Sequence, residues 1–467
     1  MRKVLASLLL GAVAFAPGAS WSETLTDALI SAYRNSHLLE QNQAVLRAAD
    51  EDVAQAVGSL RPVVNFAATA GNTYRDYNVY QPAFGSAIDN YNTVQVGGAL
   101  ELSASMPLLD FGRGKASVAI KNELVYAAQS SLVNVEQQVL LDAISAYVNM
   151  SLQTELLAAQ ESNVRLITQD LKAAKDKFDV GEVTKTDVAL AEAQLAQAQA
   201  ALSSAKGNFD VARERYNAAI GHYPDHLSPL PKTPIAVKTV DAARGIALRT
   251  HPAVIQSQHQ AKAADLGVEY AKAQMRPTLG LSATFTENYT TNGFYDSETV
   301  LGLKLGQTLY AGGQLSSGFR QAIARQQEAH AAQLQTGVSV TEAVGKAWSN
   351  ILVASASITA GDEQVRAAQA AYDGVKQEAQ LGSRTTLDVL TAEQNLISAK
   401  AARLQAGANL YVGQYALLSS MGLLTADHLK LGIPTFDPQA YYNAVKRAPA
   451  TSTRGAKLDR IMKSLGK

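Results

Sequence analysis

The sequence predicts an α+β membrane protein in which strands from several chains form one barrel and long helices extend that barrel on one side. Three observations predict this class of fold. The chain begins with an export signal, it contains two tandem copies of one helix-and-hairpin unit, and its strands alternate apolar residues with small or polar ones. A strand with one apolar face of this kind is typical of strands that face lipid.

The first 22 residues have the pattern of a secretory signal peptide. A basic start (residues 1–3) precedes an apolar run of 13 residues (4–16), and small residues occupy positions −3 and −1 of a cleavage site before Glu23. The apolar run is too short for a membrane-spanning helix, which needs roughly 20 apolar residues. We therefore expect residues 1–22 to be removed on export.

The composition of the chain excludes several classes of function. The 467 residues carry 41 basic and 41 acidic groups, and removal of residues 1–22 takes away two basic groups, which leaves 39 against 41 and a net charge of −2. Nucleic-acid binding is not expected, because it needs a basic face. The chain contains no cysteine, which excludes disulfides and lipid anchors on cysteine.

The sequence shows no catalytic or metal-binding constellation. His222 and His226 are four residues apart, as in some metal sites, but they lie in a Pro-rich linker and have no obvious third ligand. The other histidines are scattered along the chain. We therefore expect neither an enzyme nor a bound metal or cofactor.

One structural unit is used twice in the chain. Residues 178–200 and 379–401 match at an offset of 201, and the Arg-Pro pairs at 61–62 and 276–277 match at an offset of 215, so the first copy carries 14 extra residues. Self-similarity over this length indicates a repeat architecture. The predicted organisation is a signal peptide (1–22), repeat 1 (23–220), a Pro-rich linker (221–238), repeat 2 (239–422) and a partly disordered C-terminal periplasmic tail (423–467).

Each repeat is predicted to contain three helical segments. A leading helix ends at the Arg-Pro pair, because proline lacks an N–H group and biases its predecessor toward extended backbone. A long helix of 67 residues, about 100 Å at 1.5 Å per residue, runs to the glycine turn, and a return helix follows. The leading and return helices can stack end to end beside the long one. The predicted ranges are 24–60, 113–179 and 182–219 in repeat 1, and 239–275, 314–380 and 383–420 in repeat 2.

Between the leading and long helices, the hydrophobic period changes from that of a helix to that of a strand. Strands are predicted over 94–106, 278–285 and 299–310. Aromatic residues cluster at both ends of these strands, as in the interfacial girdles of outer-membrane barrels. A soluble antiparallel sheet alternates in the same way and is the alternative at this point. The clustered residues are Tyr74, Tyr77, Tyr80, Phe84, Tyr91, Phe111, Phe285, Tyr289, Phe294, Tyr295 and Tyr310.

Two hairpins supply four strands, which cannot close a barrel within one chain. An open sheet edge cannot face lipid, because its backbone groups would be unpaired. Two chains would give about 8 strands and a lumen filled by side chains, whereas three would give about 12 and a pore. We therefore expect a homotrimer. The alternative is a periplasmic coiled-coil scaffold or adaptor without a channel, in which the helical hairpins protrude into solvent.

The chain resembles the TolC-type outer-membrane factors over nearly all of its mature length, about residues 23–422. The resemblance depends on the duplicated order of elements, the Arg-Pro entries, the segments PLLDFG (107–112) and TLYAGG (308–313), and the tips VGEVTKTDV (180–188) and LGSRTTLDVL (381–390). It implies a trimeric 12-stranded outer-membrane β-barrel continuous with a 12-helix periplasmic α-barrel.

The resemblance also implies a function and partners. It implies the passive exit channel of a tripartite export system in a Gram-negative outer membrane, for multidrug efflux or type I protein secretion. The implied partners are a periplasmic adaptor protein and an inner-membrane ABC or proton-driven transporter, in addition to outer-membrane lipid. The sequence does not distinguish the two kinds of cargo.

The same resemblance implies docking sites at the two hairpin tips. Val180 and Gly181 in repeat 1, and Leu381 and Gly382 in repeat 2, match the tip motif at which adaptors dock. A glycine at each tip also permits a sharp chain reversal at low steric cost. A purely structural turn is the alternative for this motif.

A gate is implied by residue matching near the tips. Thr186 and Asp187 match acceptors on the first tip, and Arg384 matches an arginine that bonds to them and keeps the hairpins closed. Asp388 matches an aspartate that is repeated around the threefold axis to form an acidic constriction. Converging carboxylates favour cations in a narrow lumen. The alternative for Arg384 and Asp187 is a solvated surface pair of small energy.

The chain departs from the family pattern at two places near the gate. Thr391 stands where a second aspartate ring is often found, which predicts a less acidic constriction. Ala379 stands where a gating tyrosine can occur, so that bond is absent.

The C-terminal end of the chain is basic. Residues 441–467 hold seven basic groups and one acidic group. We expect a mobile periplasmic tail, with binding to an acidic partner or to peptidoglycan as the alternative.

Overall fold

The computed structural model describes residues 22–80, 88–233, 237–290, 293, 295–448 and 460. The predicted signal peptide therefore lies outside the described residues except for Ser22, and so do Phe84, Phe294 and the C-terminal residues from 449 onward except for Arg460.

The described chain consists of two repeats with the same order of elements, followed by a short helix. Repeat 1 contains α1 (Leu25–Asn35), α2 (His37–Gly58), β1 (Val63–Tyr80), β2 (Ile88–Leu109), α3 (Arg113–Asp179) and α4 (Lys185–Ile220). Repeat 2 contains α5 (Val240–Thr250), α6 (Pro252–Gln274), β3 (Thr278–Thr290), β4 (Tyr295–Gly306), α7 (Gln314–Gln380) and α8 (Thr386–Ser420), and α9 (Pro438–Val445) follows. The two long helices have the bounds that the sequence predicts.

The prediction of one continuous leading helix in each repeat is wrong. Ser36 has extended backbone and separates α1 from α2, and its side chain accepts a hydrogen bond from the Leu39 N–H group as the N-cap of α2. In repeat 2, His251 is extended and Pro252 is the first residue of α6. Proline suits that place because its missing N–H would have no partner there.

The long helix α3 is flanked by α2 over its first part and by α4 over its second. Lys121 of α3 forms an ion pair with Asp52 of α2 at 2.8 Å, and Asp142 of α3 pairs with Arg215 of α4. The short helices of repeat 1 therefore follow one another along α3. Within the described residues, no helix combines the length and the apolar character needed to cross a bilayer.

The main apolar core lies halfway along the helices and joins the two repeats. Its centre is fully buried and includes Ile144 and Tyr147 of α3, Tyr216 of α4 and Val344 of α7. The Tyr147 hydroxyl lies 2.9 Å from the carbonyl oxygen of Glu23 and 2.8 Å from that of Ser228. This core therefore fixes Glu23, just before the beginning of α1, and the linker between the repeats.

The four strands form one antiparallel sheet in the order β1-β2-β3-β4. Its register places apolar residues in rows across the sheet, with Phe66 opposite Leu102 and Leu102 opposite Phe285. The next row consists of Asn65, Ser103 and Thr284, whose side chains point to the other face because successive strand residues alternate. The sheet therefore has one apolar face and one polar face.

The hairpins of the two repeats differ in length. β1 and β2 contain 18 and 22 residues, against 13 and 12 for β3 and β4, so the extra residues of repeat 1 extend its hairpin. The prediction that the last strand continues to residue 310 is wrong. β3 begins at Thr278, directly after a proline, and Thr278 pairs with Gly306. Residues beyond Gly306 therefore have no β3 partner.

The expectation of a mobile tail is wrong for residues 441–448. The segment enters α9, Val445 is buried, and the hydroxyls of Tyr441 and Tyr442 donate to Glu51 of α2 and Asn122 of α3. Arg61 donates to the carbonyl oxygen of Ala448. Aromatic residues within the basic segment thus anchor its beginning to the helices below the sheet.

Candidate functional site at the hairpin tips

Each long helix ends in a Schellman turn at the tip of its hairpin. In repeat 1 the Glu182 N–H donates to the Lys177 carbonyl at 2.9 Å, and the Gly181 N–H donates to the Phe178 carbonyl at 2.9 Å. The same two bonds occur in repeat 2 from residues 383 and 382. Gly181 and Gly382 have φ angles of 81° and 76°, a conformation that favours glycine. The repeated glycines therefore make the chain reversals.

The apolar residue before each glycine is exposed. The exposed fraction is 71% for Val180 and 86% for Leu381. A large apolar side chain at the end of a long hairpin has little contact with its own chain. Each tip therefore presents one exposed apolar side chain, at the place where the sequence predicts adaptor docking.

The return helices begin with capping boxes that use the predicted gate aspartates. Thr184 is the N-cap of α4. Its hydroxyl donates a hydrogen bond to the Asp187 carboxylate and accepts one from the Asp187 N–H group. Thr385 and Asp388 repeat this arrangement at the start of α8. Hydrogen bonds from Thr184 lower the pKa of Asp187, and those from Thr385, with Arg384 as a smaller cause, lower the pKa of Asp388.

Arg384 bonds within its own hairpin. Its Nε donates to Oε2 of Glu378 at 2.7 Å, and both side chains are half exposed. Glu378 and, to a smaller extent, Asp388 raise the pKa of Arg384. Within the described single chain, the arginine is therefore joined to Glu378 rather than to Thr186 or Asp187.

Sequence reasoning missed Glu378 and a buried group around Glu393. Glu378 lies in the last turn of α7, and its equivalent in repeat 1 is Lys177, so a change of charge sign between the repeats is a usable signal. Glu393 lies between Leu390 and Leu396 on α8, and all three side chains are buried. Its place in an apolar stripe of helical spacing could have predicted its burial.

The described residues bring together no group of three or more His, Cys, Asp or Glu side chains that could hold a metal ion. The two linker histidines have different acidic neighbours. His222 is 3.4 Å from Glu23, and His226 is 4.0 Å from Asp225.

A four-stranded sheet with one apolar face, carried on two helical hairpins that end in matching tips, defines a class of outer-membrane channel proteins. The sequence profile described as "Outer membrane efflux protein" matches residues 29–222 and 244–423. The outer membrane protein VceC from Vibrio cholerae, a solved structure, has a TM-score of 0.71 at 22% identity, covering 85% of this chain and 96% of its own. The chain belongs to the outer membrane efflux protein family and is an outer-membrane exit channel of the TolC type.

Curated relatives match over nearly the full length of the chain. Outer membrane efflux protein BepC of Brucella suis biovar 1 (strain 1330) is 32% identical over 449 residues, which is 95% of each chain. Outer membrane protein TolC of Escherichia coli (strain K12) is 25% identical over 479 residues, covering 98% of this chain and 94% of its own. The similarity therefore includes the sheet, the long helices and both tips.

Proposed function

We propose that three copies of this chain form one passive duct, a 12-stranded barrel continuous with a 12-helix tunnel, which a periplasmic gate at the hairpin tips opens and closes. The duct would be the exit channel of a tripartite export system for drugs or proteins. The single observation that carries the proposal is the sheet of each chain, whose two edges and one apolar face are uncovered while its helices form a wall below.

The edges of the sheet support closure by other copies. In the described chain, β1 and β4 are the outer strands, and each pairs with one neighbour. Because the four strands alternate in direction, β4 of one copy would run antiparallel to β1 of the next. Barrels in bacterial outer membranes are antiparallel with an even number of strands. Three copies would therefore close the sheet without changing its pattern.

The apolar face of the sheet supports a lipid environment. On β4 the exposed fractions of Leu301, Leu303 and Leu305 are 74%, 66% and 70%. Leu303 lies opposite Leu281, which lies opposite Met106, so the apolar surface continues across three strands. Burying this surface against acyl chains would contribute roughly 25 cal/mol per Å².

The helix α7 supports a contact between copies. Its exposed apolar residues Leu334, Val338, Leu352 and Val353 have exposed fractions of 57% to 74%. α3, in contrast, contacts helices of both repeats and is buried along much of its length. α7 packs only on helices of its own repeat among the contacts described, and these exposed apolar residues fit the neighbouring copy in a ring. Exposed apolar surface at such places marks an interaction site.

The tips support the gate and the partners. Arg384 and Asp388 are four residues apart on the second hairpin, and Asp187, with Thr186 beside it, is the equivalent of Asp388 on the first. We infer that, in the trimer, charges from adjacent copies meet at the narrow end. Exposed pairs are worth at most about 1 kcal/mol each, which suits links that must break when an adaptor engages. The adaptor would dock on Val180-Gly181 and Leu381-Gly382, and the inner-membrane transporter would deliver cargo.

The experiment is a planar-bilayer recording of the purified full-length protein, with its subunit number measured by native mass spectrometry in detergent. We expect three chains and a small resting conductance. Arg384→Ala is expected to raise that conductance. The matched control is Arg366→Ala, which removes an exposed arginine that pairs with Glu363 higher on α7 at 2.6 Å.

Each part of the proposal has its own contradicting result. A monomer that is soluble without detergent would contradict the trimeric duct and favour the scaffold alternative. A conducting trimer in which Arg384→Ala behaves like Arg366→Ala would contradict the gate but not the duct.

A further inference from the structure

The two hairpins contain the same lysine–glutamate pair but use it differently. Lys175 and Glu192 in repeat 1 correspond to Lys376 and Glu393 in repeat 2 at the repeat offset of 201. Lys175 and Glu192 form an ion pair at 2.8 Å with both side chains about half exposed. In repeat 2 the Lys376 Nζ instead donates to the Tyr372 hydroxyl at 3.2 Å.

Glu393 is left buried between the hairpins. It is 3% exposed, and neither of its carboxylate oxygens has a hydrogen-bond partner among the described residues. It lines a cavity of about 220 Å³ between α3, α7 and α8. Asn163 of α3 lines the same cavity, is 4% exposed, and its Oδ1 atom is likewise unpartnered within the described part of the chain. These unpaired oxygens of Glu393 and Asn163 are all acceptors, so the cavity lacks a hydrogen-bond donor.

The charged and titratable groups around Glu393 come from all three helices. Asp170 faces it from α3, Tyr372 and Lys376 from α7, and Lys400 lies along α8 at the cavity. Burial and, to a smaller extent, Asp170 raise the pKa of Glu393 to about 7 against the opposing effect of Lys376. The pKa of Asp170 is also raised, chiefly by burial. A buried carboxylate that lacks donors is most stable in its neutral form.

We propose that Glu393 is a proton-binding site that couples the two hairpins of the chain. When it is protonated, α8 packs against α3 with the neutral carboxyl in the cavity. When it is ionised, Glu393 leaves the cavity and pairs with Lys376, the arrangement that Lys175 and Glu192 show in the first hairpin. Because α8 begins at Arg384 and Asp388, this movement would shift the gate, so the inference rests on the proposed function.

The direction of the pH effect follows from linkage. The packed state binds the proton with a pKa of about 7, whereas a solvated carboxyl of this type has the ordinary value of 4.5. Packing is therefore favoured at low pH and loses stability as the pH rises from about 4.5 through 7. The ratio of opened to packed hairpins is expected to rise by up to about tenfold per pH unit in that window. The gate would thus open more readily toward neutral and alkaline pH.

The test compares Glu393→Gln with Glu192→Gln in the full-length trimer. Glutamine keeps the shape of the side chain and removes its titration, and Glu192 is the equivalent but exposed residue. Resting conductance would be recorded from pH 5 to pH 8.5. The wild type and Glu192→Gln are expected to conduct more as the pH rises, whereas Glu393→Gln is expected to stay at the low level throughout.

A second measurement reports the hairpins without relying on conduction. The chain has no cysteine, so spin labels can be placed at the two tips by Glu182→Cys and Ser383→Cys. The tip-to-tip distance distribution is expected to broaden with rising pH, and Glu393→Gln is expected to prevent this. Equal pH profiles in Glu393→Gln and the wild type would overturn the inference. A change that follows added calcium at fixed pH would overturn the assignment to a proton. A protein that conducts at no pH would instead contradict the proposed channel.

Discussion

Arg384 and Glu378 face each other across the turn of the second hairpin, with Nε and Oε2 2.7 Å apart. The pair bridges the end of α7 and the start of α8, so it stabilises the tip of one hairpin in one chain. Repeat 1 has Lys177 at the equivalent of Glu378 and Val183 at the equivalent of Arg384, so this pairing belongs to the second hairpin. The bond to Glu378 would therefore compete with the bond across the gate that we propose for Arg384.

Glu378→Gln should change the conductance in the opposite direction from Arg384→Ala. The hydrogen bond from Arg384 to Glu378 is the largest cause of the raised pKa of Arg384, so Glu378 is its main partner. Removal of the glutamate charge would therefore free Arg384 to bond across the tips. We expect a resting conductance below that of the wild type, measured in planar bilayers. A conductance as high as that of Arg384→Ala would mean that the intra-hairpin pair itself keeps the tips closed.

Asp388→Asn should weaken block of the channel by multivalent cations. Asparagine keeps an oxygen for the Thr385 capping interaction and removes the charge. The concentration of a trivalent cation that gives half block is expected to rise about fivefold or more. Because hydrogen bonds lower the pKa of Asp388, its charge is lost only when the pH falls below the usual aspartate range.

The measurement that tests Asp388 is the block of the channel by a trivalent cation as a function of pH. Block in Glu393→Gln, in which the Glu393 site no longer titrates, is expected to be constant between pH 5 and pH 8, because Asp388 stays charged throughout this window. Full retention of block in Asp388→Asn would remove Asp388 from the constriction.

The bounds of the two long helices could be predicted from the sequence because glycine marks their ends. Gly112 and Gly313 precede α3 and α7 with positive φ angles, and Gly181 and Gly382 follow them. The breaks in the leading helices were missed because the apolar spacing continues across them. Ser36 is an N-cap and Pro252 an N1 residue, so the local chemistry for both breaks was present.

The gate and the buried site depend on side-chain geometry that spacing does not determine. Whether Arg384 reaches Glu378 or Asp187 depends on how the chain crosses the turn. Whether Glu393 is buried depends on which helices pack against α8, because its equivalent Glu192 is exposed in the same sequence context. Residues at the same place in two repeats can therefore differ in protonation and pairing.

Gly382→Ala should loosen the second tip. Its φ angle of 76° lies in the left-handed region, where alanine costs roughly 1–2 kcal/mol. Gly374→Ala is a matched control on α7, the helix before this turn, since no atom lies within 4 Å of an added Cβ and the residue is helical. The control is expected to stabilise α7 by roughly 0.5–1 kcal/mol. Hydrogen exchange of residues 377–390 measures both effects, and equal protection in the two variants would contradict the role of the turn.

Tyr147→Phe should loosen the segment that leads into α1. The hydroxyl lies between the carbonyl oxygens of Glu23 and Ser228. Its loss leaves the Ser228 carbonyl without this donor, at a cost of about 1–3 kcal/mol, whereas the Glu23 carbonyl keeps the Ser228 N–H group as a donor at 2.8 Å. Protection of residues 25–35 against hydrogen exchange is expected to fall by that amount. Tyr223→Phe is the control, because its hydroxyl bonds to Glu214 at the surface, and it should change protection by less than about 0.5 kcal/mol. Similar losses in both variants would mean that the core, rather than this hydroxyl, fixes the N-terminal segment.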